Sequence, residues 1–155
     1  MMHCAQYDSP LGPLVLRSNG TALTSLQFGP AEEQGETAVF SDAFRWLDAY
    51  FSGVELPRPR IFLSATPFRL NVWEQCAAVP YGQTCSYSEL ARAAGCPGAS
   101  RAVGTALAHN PLLIIIPCHR VIPASGSVGQ YAAGSALKRQ LLELETNQRP
   151  GKTLG

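Results

Sequence analysis

Cys118 and His119 stand side by side in this chain, and Glu145 follows at the end of a stretch with helical apolar spacing. A free thiol has a pKa of about 8.5, so only a few per cent is thiolate at neutral pH. An imidazole can take the proton, and a carboxylate can hold the resulting imidazolium. These three residue types together therefore describe an activated sulfur nucleophile. Each unit of depression of the thiol pKa is about 1.4 kcal/mol of preference for the anion. Glu145 is the candidate carboxylate because its helix is expected on the core that the Cys118 segment enters. Neighbours on an extended chain point to opposite faces. A direct Cys118–His119 bond therefore does not follow from adjacency, and a bridging water would serve. Most buried cysteines are inert, which keeps a purely structural pair open.

The elements around these residues must place them. The apolar run Leu112–Ile116 reads as buried extended chain that delivers Cys118 and His119 to its end. Gly126, Gly129 and Gly134 then punctuate a loop that carries Tyr131. A helix from Ser135 to Glu145 should bury Leu137, Leu141, Leu142 and Leu144, with a polar, frayed tail from Thr146. Upstream, Thr66-Pro67 is a cap with proline at the first helical position, and Phe68, Val72, Trp73 and Cys76 mark one face. Pro80-Tyr81-Gly82 is a turn. Ser86 and Glu89 have capping-box spacing, with Leu90 toward the core. After a break at Gly95–Gly98, a second helix runs from about Ser100 to His109, which suggests a helix-turn-helix.

That second helix is smooth. Ala102, Val103, Gly104, Ala106, Leu107 and Ala108 leave Arg101 as its one certain cation. Helices that read base edges carry several Arg, Asn or Gln side chains. Two readings remain open: tight packing in a core, or close approach to DNA without sequence reading.

The first half is built differently. Asn19-Gly20 lies between Leu14–Arg17 and Ala22–Phe28, which predicts two short antiparallel strands. Phe40, Phe44, Leu47 and Phe51 predict a helix stopped at Gly53. Pro57-Arg58-Pro59-Arg60 is a connector, and Ile61 to Ser64 an edge strand. The boundary falls near Ser64. The expected fold is α+β: an N-terminal lobe, 1–64, with a short antiparallel sheet and a helix, and a mainly helical C-terminal lobe, 65–155, with the helix-turn-helix.

Apolar residues are 46% and charged residues 15%, which suits a globular protein with a core. No signal-peptide pattern is visible, and Leu112–Ile116 is too short to span a bilayer, so the expected location is cytoplasmic, with no membrane partner. The five cysteines include no Cys-x-x-Cys, so neither a disulfide framework nor a zinc site is expected. Residues 1–56 carry two basic and seven acidic groups, residues 57–155 ten basic and four acidic. That asymmetry fits a polyanion at the second half, and equally an ordinary mixed surface.

Pro117-Cys118-His119-Arg120-Val121 resembles the signature of the O6-alkylguanine-DNA alkyltransferases, the methylated-DNA–protein-cysteine S-methyltransferases. Val79-Pro80-Tyr81-Gly82, Ser86-Tyr87, Arg101-Ala102-Val103-Gly104 and Asn110-Pro111 stand at the family's spacing upstream. So do Gly126, Tyr131, Gly134, Lys138, Leu141-Leu142 and Glu145 downstream, and Ser9-Pro10-Leu11-Gly12 is similar to its first hairpin. The resemblance implies Cys118 as alkyl acceptor, His119 as base through a water, and Glu145 as its carboxylate partner. It implies Asn110 as the brace of the active-site turn and Tyr87 as proton donor to the departing guanine, although Tyr87 could simply cap its helix. Arg101 would fill the gap left by a flipped base, with Ala102 and Ala108 on the same DNA-facing helix. Tyr131, Val121, Ala132 and Ala133 would line the guanine pocket, and Arg120 would be structural. Ala132 and Ala133 stand where relatives carry Ser, Gly or a bulky residue.

The implied partner is duplex DNA bearing O6-alkylguanine, and O4-alkylthymine as a further substrate. It would be bound by a monomer through the minor groove with little sequence preference. No cofactor is expected, and no metal, because Cys4 lacks the companion ligands some relatives carry. Three other readings compete: a damage-recognition protein, which would lack the cysteine; a cysteine hydrolase, which would need an oxyanion hole; and a helix-turn-helix regulator, which the bare helix disfavours.

Overall fold

The computed structural model describes residues 2–32, 34–35 and 37–148. Two compact units emerge, one from the residues up to Leu63 and one from Ser64 onward. In the first, β1 (His3–Ser9), β2 (Gly12–Ser18) and β3 (Leu23–Phe28) form an antiparallel meander in the order β1-β2-β3. Turn chemistry and alternation predict the last two, and only the likeness of Ser9–Gly12 to the family's first hairpin implies β1. The β1 residues bury Ala5 alone, so the alternation that advertises a strand is faint there. Asn19 Oδ1 accepts from the Thr21 and Ala22 amides, both at 3.0 Å, and Gly20 takes φ +100°, which closes the β2–β3 turn. Helix α1 (Ala38–Phe51) lays Val39, Phe40, Ala43, Leu47, Tyr50 and Phe51 inward. The edge strand expected at Ile61–Ser64 shrinks to a single bridge between Leu23 and Ile61.

The second unit holds α2 (Pro67–Ala77), β4 (Cys85–Ser86), α3 (Tyr87–Ala93), α4 (Ser100–Ala108), a 3₁₀ turn (Cys118–Arg120), β5 (Val121–Ile122) and α5 (Ser135–Asn147). Thr66 and Ser86 cap α2 and α3 through their side chains, and Ser86 and Glu89 form both halves of a capping box. Ser86 also belongs to β4, which pairs in parallel with β5. That small ladder, unforeseen in the sequence, ties the start of α3 to the chain just after Cys118.

Two expectations fail in this unit. Leu112–Ile116 is buried but not extended: the Ile116 amide donates to the Leu112 carbonyl at 2.9 Å, and Ile114 has φ +73°. A left-handed β-branched residue costs roughly 1–2 kcal/mol, which burial of the isoleucine side chain offsets at about 1.5–3 kcal/mol. In α5 the fully inward face is Lys138, Leu141 and Glu145, while Leu137, Leu142 and Leu144 are only half-buried. The helix also continues past Thr146 to Asn147. Polar partners, not leucine spacing, set its rotation.

Removing the α3 cap should be felt locally. Ser86→Ala should destabilise the protein by about 1 kcal/mol in urea unfolding; a change within error would mean that the β4–β5 ladder, not the cap, starts this helix.

Candidate active site

Asn110 follows α4 and is 3% exposed. Its Oδ1 accepts from the Leu112 amide at 2.9 Å, while Nδ2 donates to the Ile116 carbonyl at 2.8 Å and to Cys118 Sγ at 3.2 Å. One amide thus closes the apolar turn and touches the sulfur. The turn ends on a 3₁₀ helix, so Cys118 and His119 are not opposite neighbours on a strand.

Glu145 collects the next layer. Its Oε2 lies 2.5 Å from His119 Nε2 and accepts from Arg120 Nη2 at 3.0 Å. Its Oε1 accepts from Arg120 Nε at 2.8 Å and from the Gly82 amide at 3.0 Å. Arg120 Nη1 donates to the Val79 carbonyl at 2.7 Å, and its guanidinium sits 5.5 Å from the Tyr81 ring centre. Burial alone would raise the Glu145 carboxyl, but His119 and Arg120 outweigh it and hold the pKa at about 2. A carboxylate can only accept, so Nε2 of His119 carries its proton and Nδ1 has the lone pair. Among the described residues Nδ1 has no hydrogen-bond partner. Burial lowers the His119 pKa against the pull of Glu145, so the ring rests neutral.

Burial also pushes the Cys118 thiol up, opposed by the Asn110 amide and the Lys138 charge. The resting sulfur is thus biased to the thiol, not poised as the anion that Cys-His-Glu chemistry suggests. Lys138 is fully buried, with Nζ donating to the carbonyls of Val121 at 2.7 Å and Gln130 at 3.1 Å. It stands 5.8 Å from the Tyr87 ring centre. The Tyr87 hydroxyl is raised by burial and by the nearby sulfur.

Cys118, Tyr87, Arg101, Ala108, Tyr131 and Ala132 line one cavity of about 690 Å³. Tyr131 meets His119 edge-on at 6.4 Å, and its buried hydroxyl has no partner among the described residues. Ala102, Val121 and Ala133 are not in the lining; Val121 contributes its carbonyl to Lys138 instead. Gly104, Thr105, Pro123 and Gln130 line the cavity unforeseen. Arg101 is exposed and makes no ion pair among the described residues. Among those residues no group of three or more His, Cys, Asp or Glu stands ready for a metal ion, and no helix is long and apolar enough to cross a membrane.

Residues 67–147 match the family described as 6-O-methylguanine DNA methyltransferase, DNA binding domain, and residues 2–57 its ribonuclease-like domain. The chain is 46% identical to a methylated-DNA–protein-cysteine methyltransferase of Mycobacterium leprae, over 96% of this chain and 94% of that one. The chain belongs to this family. Among solved structures this family member is similar to Mycobacterium tuberculosis OGT in complex with DNA, with TM-score 0.86, 44% identity and 96% of both chains covered. The O6-methylguanine methyltransferase of the same organism gives TM-score 0.85 at 44% identity, covering 98% of this chain and 97% of that one.

Sequence reasoning left two residues of this family member without a place. Arg120 was assigned no partner, and Lys138 appeared only as part of a spacing. Both are buried beside the cysteine, so two of the ten positive charges in the second half do not face solvent. The charge asymmetry therefore overstates the basic surface. A buried charge among apolar helical residues is hard to foresee, because its partners are carbonyls and a carboxylate distant in sequence.

Ionised Glu145 should show in acid. Its folded pKa of about 2 lies below the roughly 4.3 of a free glutamate. Between those values the unfolded chain binds more protons. The stabilisation, about 3 kcal/mol, is therefore complete above roughly pH 4.3 and lost as pH falls through about 2. Urea unfolding of Glu145→Gln should reveal lower stability near neutrality and no such loss in acid; an unchanged acid profile would mean another group governs it.

Proposed function

We propose that the chain is a direct-reversal DNA repair enzyme that transfers the alkyl group of O6-alkylguanine irreversibly to its own Cys118. The observation that carries this reading is Cys118 in a cavity also lined by Arg101 and Tyr131, with a His119–Glu145 pair behind it. A base inside a duplex cannot reach such a cavity, so it must be turned out at a cost of a few kcal/mol. Arg101, an exposed guanidinium on α4, enters the space the base leaves. Tyr131 and Ala132 flank the guanine, with Val121 and Ala133 nearby.

The thiol then gives its proton to His119 Nδ1, through a water where the two atoms do not touch. Glu145, ionised and hydrogen-bonded to Nε2, holds the imidazolium, while Lys138 and Asn110 favour the sulfur anion. The thiolate attacks the alkyl carbon in line. The carbon–O6 bond breaks, its electron pair stays on guanine, and Tyr87, kept protonated by burial and by the nearby sulfur, supplies the proton. The product is a thioether. No group in the cavity cleaves that bond, so each molecule acts once.

The smooth α4 supports shallow, sequence-tolerant contact through the minor groove, with affinity drawn from phosphates. All the groups invoked belong to one unit of one chain, which supports action as a monomer.

Intact mass after mixing with O6-methylguanine duplex should rise by one methylene unit, mapped to Cys118. Cys118→Ala should lose the transfer and keep DNA binding; transfer by this variant would sink the acceptor assignment. Arg101→Ala should slow repair of duplex more than reaction with the free modified base, and equal slowing would argue against a flipping role.

A further inference from the structure

Helix α2 takes no part in this chemistry, yet two of its side chains reach the ends of both helices that do. Asn71 Nδ2 donates to the Ala94 carbonyl at 2.8 Å, at the C-cap of α3. Trp73 Nε1 donates to the Ala106 carbonyl at 2.8 Å, in the last turn of α4. The last four carbonyls of a helix lack the regular i+4 partner, so a neighbouring side chain can direct the helix by bonding there; the Ala106 carbonyl takes the indole in addition to a 3.2 Å bond from the His109 amide. Residues two apart on a helix diverge by about 200°, which lets one turn of α2 serve two neighbours. α2 packs against both α3 and α4.

Helix α4 has particular need of such a contact. Its inward face offers only Val103, Ala106 and Leu107, and the neighbouring Gly104 has no side chain, so few knobs hold a register. A slip of one residue would turn Arg101 by about 100° and shift it by about 1.5 Å. Misplacement on that scale is enough to impair a reaction without touching the reacting atoms. The indole bond to Ala106 is directional where the packing is not, and Trp73 is 3% exposed, so water does not compete for it.

We propose that Asn71 and Trp73 are positioning residues that form a fork. The indole sets α4 and through it Arg101; the amide sets α3 and through it Tyr87. This rests on the repair reading above, in which Arg101 serves only the duplex and Tyr87 serves guanine in any substrate. The two prongs therefore have different signatures.

Transfer rates of the full chain should be measured with O6-methylguanine in duplex DNA and with free O6-methylguanine base. Trp73→Phe, which keeps an aromatic ring and loses the donor, should slow the duplex reaction about fivefold and leave the free base within about twofold. Asn71→Ala should slow both about threefold. Asn71 is exposed, so this variant keeps the test open if Trp73→Phe does not fold. Val72→Ala, a packing change on the same turn of α2, should slow neither while circular dichroism reports it folded. Equal slowing of both substrates by Trp73→Phe, the same split from Val72→Ala, or unchanged rates in Asn71→Ala would overturn the fork. Failure of the unaltered chain to transfer at all would instead sink the repair reading.

Discussion

A carboxylate held away from water organises the unit that carries the cysteine. Glu145 is 1% exposed, and a charge so buried persists only where paired and hydrogen-bonded. It meets that condition with a bidentate arginine, a histidine and a backbone amide drawn from two separate segments. The His119 tautomer follows from it, since the ring can only donate toward a carboxylate. The rotation of α5 follows too, because Glu145, Leu141 and Lys138 must face the same way. The turn before α3 is tied in through Gly82 and Val79.

The charge balance around the sulfur then has a simple form. Glu145 and Arg120 offset one another, His119 rests neutral, and Lys138 remains as a buried cation bonded, among the described residues, to the carbonyls of Val121 and Gln130. Burial holds the thiol protonated, while the lysine and Asn110 act against it. In the proposed reaction a neutral imidazole takes the proton from this thiol, and the lysine and Asn110 favour the anion that forms. A fully exposed thiolate would be more open to oxidants and other electrophiles.

In the proposed reading the face toward DNA obeys a different constraint. A helix that is to lie close to a duplex without reading it must be smooth, and smoothness removes the knobs that normally fix a helix on its neighbours. Directional bonds from α2 and the glycine-ended turn between α3 and α4 make up that loss. The helix is not enclosed in a core: its outer residues, Arg101, Ala102, Thr105, Ala108 and His109, are exposed.

Much of this was legible in the chain. Thr66-Pro67, Ser86 with Glu89, Asn19-Gly20 and Gly53 are local signals, each satisfied by groups within a few residues, so they could be read without knowing the fold. The family's motif put Cys118, His119, Asn110 and Glu145 in view for the same reason: residue type and spacing survive in one dimension. What tertiary structure alone decided lies in long-range partnership. The run Leu112–Ile116 looked extended because its composition shows burial, and burial does not specify dihedral angles; Asn110 bends it. Of the four α5 leucines expected inward only Leu141 is fully buried, because Lys138 and Glu145 find partners 17 and 26 residues away, at Val121 and His119, and those bonds outrank apolar spacing. Local chemistry determines caps and turns and marks the candidate nucleophile. The protonation of that residue depends on charges brought together across the fold, and no stretch of sequence contains that sum.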